Sequence, residues 1–233
     1  MLLLSDNCYL KEHCYKYQKT DCECKHSNTY CPKLFRVNYL FDESLLTDKQ
    51  RVYQPLYIDD DGTDRAQFQQ LKLIESNIED FVNKGANLFL HSNNCGNGKT
   101  AWSIRLLQTY INKIWHKSDL TCRVLFINVP RYLQAIKNNI SNVDEYAEHI
   151  KKYVLKADLV VFDEVGTKAA TTFEHENLLS IINSRIENNK SNIYTSNLNG
   201  EQLKGVLGER LYSRIVNLST DIELFGKDKR GLV

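Results

Sequence analysis

The stretch "LFLHSNNCGNGKTAWSIRLL", Leu88 to Leu107, joins three kinds of sequence in twenty residues. An apolar run of buried-strand type, "NLFLHS", leads into a glycine-containing loop. "AWSIRLLQTYINKIW" then spaces its apolar residues as a helix does, with no Gly or Pro. Strand, glycine loop and helix in that order point the free N–H groups of a helix N-terminus at an anion. Phosphate binding needs backbone N–H groups that curl around oxygens, a lysine that reaches the terminal phosphates and a hydroxyl for magnesium. Gly96, Gly98, Lys99 and Thr100 meet that need. The block Asn94, Cys95, Gly96, Asn97, Gly98, Lys99, Thr100, Ala101 is therefore the candidate cradle for ATP or ADP, with Thr100 as a Mg2+ ligand. Asn93 stands where G-x-x-x-x-G-K-[S/T] opens with glycine. Asparagine is the other residue that best tolerates positive φ, so the departure weakens the pattern more than the chemistry.

Outward from the loop, "CRVLFINVP" (Cys122 to Pro130), "DLVVFDEVG" (Asp158 to Gly166) and "SNIYTSNL" (Ser191 to Leu198) are further apolar runs, and "DIELFG" predicts a last short strand. Helical patterns separate them. Upstream, Phe68, Leu71, Ile74, Ile78 and Phe81 fall on one face of a single helix that stops at Gly85. Strands alternating with helices require crossover connections, so the expected fold is α/β with a mainly parallel sheet covered on both faces.

Binding sites in such sheets lie at the carboxyl tips of the strands. "LVVFDE" ends there on two acids: Asp163 is expected to hold magnesium and Glu164 to polarise an attacking water as general base. Two acids also begin many solvated turns, and it is the glycine loop upstream that separates the cases. Asn197 in "YTSNL" can hydrogen-bond the attacking water or a γ-phosphate if its strand lies beside the first. In "GERLYSRI", Arg210 and Arg214 share a helical face, either a solvated surface or an arginine finger reaching a neighbouring subunit's nucleotide. Arg230 follows the last strand in "FGKDKRG". Lys137 and Lys168, after the second and third strands, are candidate DNA contacts, though each is the type of lysine more often simply solvated.

At 233 residues and a formal net charge of +1, the chain has no bulk attraction for nucleic acid or membrane, so any basic surface is local. "MLLL" is too short for a signal peptide, no run approaches a membrane span, and a cytoplasmic location without membrane attachment is expected. Of the 7 cysteines, Cys8, Cys14, Cys22, Cys24 and Cys31 precede residue 32, interspersed with His13 and His26. In a reducing compartment this predicts a small module, residues 1–45, folded around one zinc held by Cys8, Cys14, Cys22 and Cys31, with Cys24 or His26 as substitutes. Reduced, partly buried thiols are the alternative. Residues 46–64, with Pro55 and an acidic turn at Gly62, read as a linker to the main domain, 65–233.

With the series "YQPLYI", "NNCGNGKT", "RVLFINVP", "LVVFDEVG", "YTSNL", "GERLYSRI" and "FGKDKRG" in order, the chain resembles replicative helicase loaders of the DnaC/DnaI type, especially phage-encoded ones, within the AAA+ ATPases. The resemblance implies an αβα core with sheet order 5-1-4-3-2 and ATP hydrolysis. It makes Lys99 and Thr100 nucleotide and Mg2+ residues, Asp163 and Glu164 the acidic pair, Asn197 a first sensor, Arg214 the finger ahead of Arg210, and Arg230 a second sensor. It also implies self-association through AAA+ interfaces, a hexameric replicative helicase gripped by the N-terminal module, and delivery of that helicase to single-stranded DNA. The alternatives are an IstB-type transposition helper ATPase and a non-hydrolysing adaptor that occupies the helicase.

Overall fold

The computed structural model describes residues 32–58, 61–117, 119–138, 143–167 and 171–229. The expected zinc ligands Cys8, Cys14, Cys22, Cys31, Cys24 and His26, together with Lys168 and Arg230, lie outside these residues. Among the described residues the helices are α1 (Pro32–Glu43), α2 (Asp48–Arg51), α3 (Arg65–Ser76), α4 (Ile78–Asn83), α5 (Lys99–Ile114), α6 (Val129–Asn138), α7 (Glu145–Tyr153), α8 (Thr172–Glu187) and α9 (Gly200–Ile215). The strands are β1 (Asn87–His91), β2 (Val124–Asn128), β3 (Leu159–Asp163), β4 (Ser191–Ser196) and β5 (Thr220–Glu223). They form one sheet in the order β2-β3-β4-β1-β5, with every neighbouring pair parallel. Read from the other edge, this is the 5-1-4-3-2 order that the resemblance implies.

Successive strand residues point to opposite faces, and each face is buried under its own set of helices. Leu88, Leu90, Val161 and Ile193 pack with α1, α3, α4 and α5; Phe89, Val160, Phe162 and Tyr194 pack with α6 to α9. This is why the strands read as unbroken apolar runs. The second cover is started by two good caps. Asp144 accepts from the N–H groups of Tyr146 and Ala147, and Thr171 with Glu174 closes a capping box at the head of α8.

The structure adds detail to these expectations. The single helix expected before β1 is two, because Asn77 (φ −108°, ψ 27°) leaves helical geometry and its amide donates to the Leu73 carbonyl and to Ser76 Oγ. The run "GERLYSRI" belongs to a longer helix that breaks at Gly208 (φ 72°, ψ 165°). α1, within the stretch expected as an N-terminal module, buries Leu34, Val37, Leu40 and Phe41 in the same core as α5. The stretch expected as linker also packs: Gln108 Nε2 on α5 donates to the Gln50 carbonyl at 2.7 Å, and Asn112 Nδ2 to Tyr53 Oη at 3.1 Å. Just after α1, the Ser44 carbonyl accepts from Phe126 N at 2.8 Å, covering part of the exposed edge of β2.

At the amino end of the sheet, Arg185 is fully buried without a carboxylate partner. Its guanidinium donates to Asn192 Oδ1 (2.6 Å), Ser191 O (2.7 Å), Ala157 O (2.8 Å) and Val154 O, tying the end of α7 to the start of β4. Burial pushes its pKa down to about 10. Arg185→Leu would leave those acceptors without a donor. Chemical denaturation should show a loss of about 3 kcal/mol or more, and a loss under about 1 kcal/mol would remove Arg185 from this structural role.

Candidate nucleotide site

The strands deliver their polar ends to one edge of the sheet. Ser92 follows β1, Asn128 ends β2, Asp163 ends β3, and Thr195 and Ser196 end β4. The loop from Ser92 to Gly98 bends through left-handed geometry at Gly96 (φ 73°) and Gly98 (φ 107°). Asn93 does not adopt positive φ, so the tolerance expected of it goes unused. The loop is closed instead by side chains. Ser92 Oγ accepts from Asn94 N (3.0 Å) and from Asn97 Nδ2 (2.6 Å). Lys99 Nζ donates to the Asn94 carbonyl at 2.7 Å and to Asn97 Oδ1 at 3.2 Å, which holds the ammonium folded over the loop.

A cleft of 210 Å³ opens here, lined by Gly96 to Ala101, Glu164, Thr195, Ser196 and Asn197. The structure thus brings together the loop, Glu164 and Asn197, which are far apart in sequence. Asp163 lies behind this lining, bonded to two of its residues. Its Oδ1 accepts from Thr100 Oγ1 (2.9 Å) and from Thr195 Oγ1 (2.7 Å). Burial raises the Asp163 pKa above the ordinary carboxylate value; the two hydroxyls oppose the shift and the neighbouring Glu164 adds to it. A buried carboxylate with no cation among its contacts in the described residues, joined to the hydroxyl of the loop threonine, fits a divalent ion: the oxygens are hard donors.

Glu164 takes a left-handed conformation (φ 61°) that glycine or asparagine would adopt more readily. Two contacts hold it. Its N–H donates to Thr195 Oγ1 at 3.0 Å, and its Oε2 accepts from Asn128 Nδ2 at 3.1 Å. Neither Asn128 nor Thr195 was among the expected site residues. The signal was present, since "FIN" and "IYT" end apolar strands on polar groups as "VVFD" does.

Arg210 and Arg214 lie on the part of α9 after the Gly208 break, both exposed and without a salt bridge or hydrogen bond among the described residues. The Leu207 carbonyl, released by that break, is met by the His175 ring on α8. Lys137, a candidate DNA contact, is ion-paired: its Nζ lies 3.0 Å from Glu174 Oε1, an acid 1% exposed. The described residues contain no cluster of metal-ligating side chains, and no helix among them is long and apolar enough to cross a membrane.

The sheet order, the loop opening α5 and the acidic pair at the tip of β3, one strand removed from β1, define a nucleotide-binding P-loop fold of the AAA+ class. The profile of the family described as IstB-like ATP binding protein matches residues 47–217, and the chain belongs to that family. The replicative helicase loader DnaC of Escherichia coli K12 is 27% identical over 92 residues, 40% of this chain and 38% of DnaC, so the match spans about two fifths of that relative. Among solved structures, the DnaC helicase loader covers 80% of this chain and 98% of its own at 20% identity and a TM-score of 0.56. DnaI covers 80% and 95% at 21% identity and 0.58. DnaA from Aquifex aeolicus with bound AMPPCP covers 72% and 48% at 22% identity and 0.52, a likeness, as with the other two, of fold. The resemblance to DnaC/DnaI-type loaders of the AAA+ class therefore holds.

Because the folded-state pKa of Asp163 is raised, its ionisation opposes folding. The contribution favours the fold below the ordinary value of 3.8 and is lost as pH rises through the folded pKa. At neutral pH, Asp163→Asn should therefore raise the melting temperature of the nucleotide-free protein while removing the extra stabilisation given by Mg2+ with nucleotide. Thermal melts with and without MgATP check both halves. A variant that melts lower alone and keeps its response to Mg2+ contradicts the assignment.

Proposed function

We propose that the chain is an ATP-hydrolysing loader that binds a hexameric replicative DNA helicase and delivers it to single-stranded DNA in the cytoplasm. The observation that carries this is the stretch of 27% identity with the helicase loader DnaC. The site supports the ATPase half. Gly96 to Ala101 supply the N–H groups of a helix N-terminus to the phosphates, and Lys99 exchanges its loop acceptors for the terminal phosphate oxygens. Thr100 and Asp163 would hold Mg2+, which when bound neutralises charge on the β- and γ-phosphates. Glu164, aimed by Asn128 and Thr195, accepts the proton of the attacking water, and Asn197 orients that water across the cleft. The exposed guanidinium of Arg214, or of Arg210 one turn earlier, would serve the nucleotide of a neighbouring chain, and Arg230 would act as a second sensor. In this scheme the cysteines of the 1–45 module, all before Pro32, hold the zinc and grip the helicase, while α1 and the 46–64 connection pack onto the 65–233 ATPase.

A second function is favoured by the family profile itself, whose IstB-like description fits a transposition helper ATPase. The two differ in partner. Co-purification with a hexameric replicative helicase, with ATP turnover measured with and without single-stranded DNA, should retain the helicase and show a DNA response. Retention of a transposase and no helicase would select the other function. Elemental analysis of the same preparation should find about one zinc per chain, lost when residues 1–31 are deleted; protein without zinc removes the metal from the scheme.

Hydrolysis should depend on assembly. Glu164→Gln should bind ATP and fail to turn it over. Arg214→Ala should keep its affinity and lose about 10³-fold in turnover, the lower range for such fingers. Chains carrying Arg214→Ala mixed with chains carrying Lys99→Ala, each inactive alone, should regain activity, because one supplies the finger and the other the loop. No recovery in co-assembled mixtures rules out Arg214 as a residue acting in trans.

A further inference from the structure

After β5 the chain does not leave the fold at once. Residues Phe225 to Lys229 form a strap along the nucleotide loop, and the contacts between the two are numerous and specific. Asn94 Nδ2 donates to the carbonyls of Phe225 (3.0 Å) and Gly226 (3.3 Å), and Asn97 Nδ2 donates to that of Leu224 (3.1 Å). Lys229 N donates to Gly96 O at 2.9 Å. At Gly96 a side chain is excluded by the strap itself, since a Cβ there would stand 1.8 Å from Asp228 Oδ1. Asn94, which grips the strap with its amide, also offers its carbonyl to Lys99 Nζ. The position of Lys99 is thus linked to the strap through one residue.

The strap is fixed in turn by Asp64. Its two carboxylate oxygens accept from Phe225 N (2.7 Å) and Gly226 N (2.8 Å), and it is only 8% exposed. Asp64 occupies the N-cap position of α3, where an aspartate ordinarily accepts from the first N–H groups of its own helix. Here its side chain makes no such cap, and its backbone is left-handed at φ 65°, ψ 13°. A residue that gives up its local bond and takes a conformation costing on the order of 1 kcal/mol is held there by what it reaches. What it reaches is the strap. The two donors here meet two separate acceptor atoms, Oδ1 and Oδ2, whereas an amide would present one oxygen and a donating NH2 group.

We propose that Asp64 is a positioning residue for nucleotide binding: it pins the Phe225–Lys229 strap, and the strap holds the loop in the geometry that receives phosphate. The proposal rests on the nucleotide-binding role given to the loop. It predicts that a residue touching no phosphate sets the affinity for ATP, and that Asp64 and Asn94, which bond the N–H and C=O groups of the same two residues, act as one unit.

The test measures binding of a fluorescent ATP analogue to the full-length chain, ATP turnover, and the melting temperature without nucleotide. Asp64→Asn keeps the shape and loses one acceptor, so affinity should fall and KM rise by about tenfold, with kcat within about twofold of the parent. A merely structural defect would instead lower the active fraction and hence kcat, and would lower the melting temperature. Asn94→Ala approaches the strap from the loop side and should shift KM in the same direction. The double variant should lose much less than the product of the two single effects. Parental affinity in Asp64→Asn, a loss confined to kcat, or fully multiplicative effects in the double variant would each overturn the proposal. A parent chain that binds no nucleotide would overturn the nucleotide role itself and this inference with it, an outcome distinct from a parent that binds and variants that bind equally well.

Discussion

One oxygen, Asp163 Oδ1, receives hydroxyl hydrogens from two separate elements, Thr100 at the head of α5 and Thr195 near the end of β4. That shared acceptor makes a site out of strand ends. It sets the helix that carries Lys99 against β3, and through Thr195 it also fixes the backbone of Glu164, whose N–H uses the same hydroxyl. The arrangement costs the fold the burial of a carboxylate, visible in its raised pKa. Sites tuned for charge commonly carry such a cost, and here it becomes useful when a cation shares the oxygen. Removing Thr195 would therefore disturb Asp163 and Glu164 together.

Much of this was legible in the sequence because it is local. Apolar runs of five or six residues bounded by polar tips give the parallel strands, and the glycine loop between β1 and α5 gives the phosphate cradle. Lys99, Thr100, Asp163, Glu164 and Asn197 could be named from those tips alone. Asn128 and Thr195 carried the same signal, a polar residue ending an apolar strand, but their roles depend on which strand lies beside which. A one-dimensional pattern does not state that neighbour relation.

What remained illegible was long-range or conformational. The helix over residues 65–83 keeps its apolar face across Asn77, so periodicity continues where the backbone breaks. Gly208 interrupts α9 without interrupting its sequence of helix formers on either side. Asp64 read as part of an acidic turn, whereas its partners lie 161 and 162 residues away. Asn93 shows the converse: its tolerance of positive φ was real chemistry that the loop did not need, because the serine and two asparagines around it closed the turn with side chains.

The placement of α1 bears on how force and information travel through the molecule. A domain joined by a flexible linker acts on its neighbour only through effective concentration, since the connecting chain absorbs any pull. Here α1, the first described helix, buries Val37, Leu40 and Phe41 in one core with α5, the same helix whose first residue is Lys99. A pull that reaches α1 would therefore bear on the nucleotide loop through one packed helix pair rather than through a slack tether.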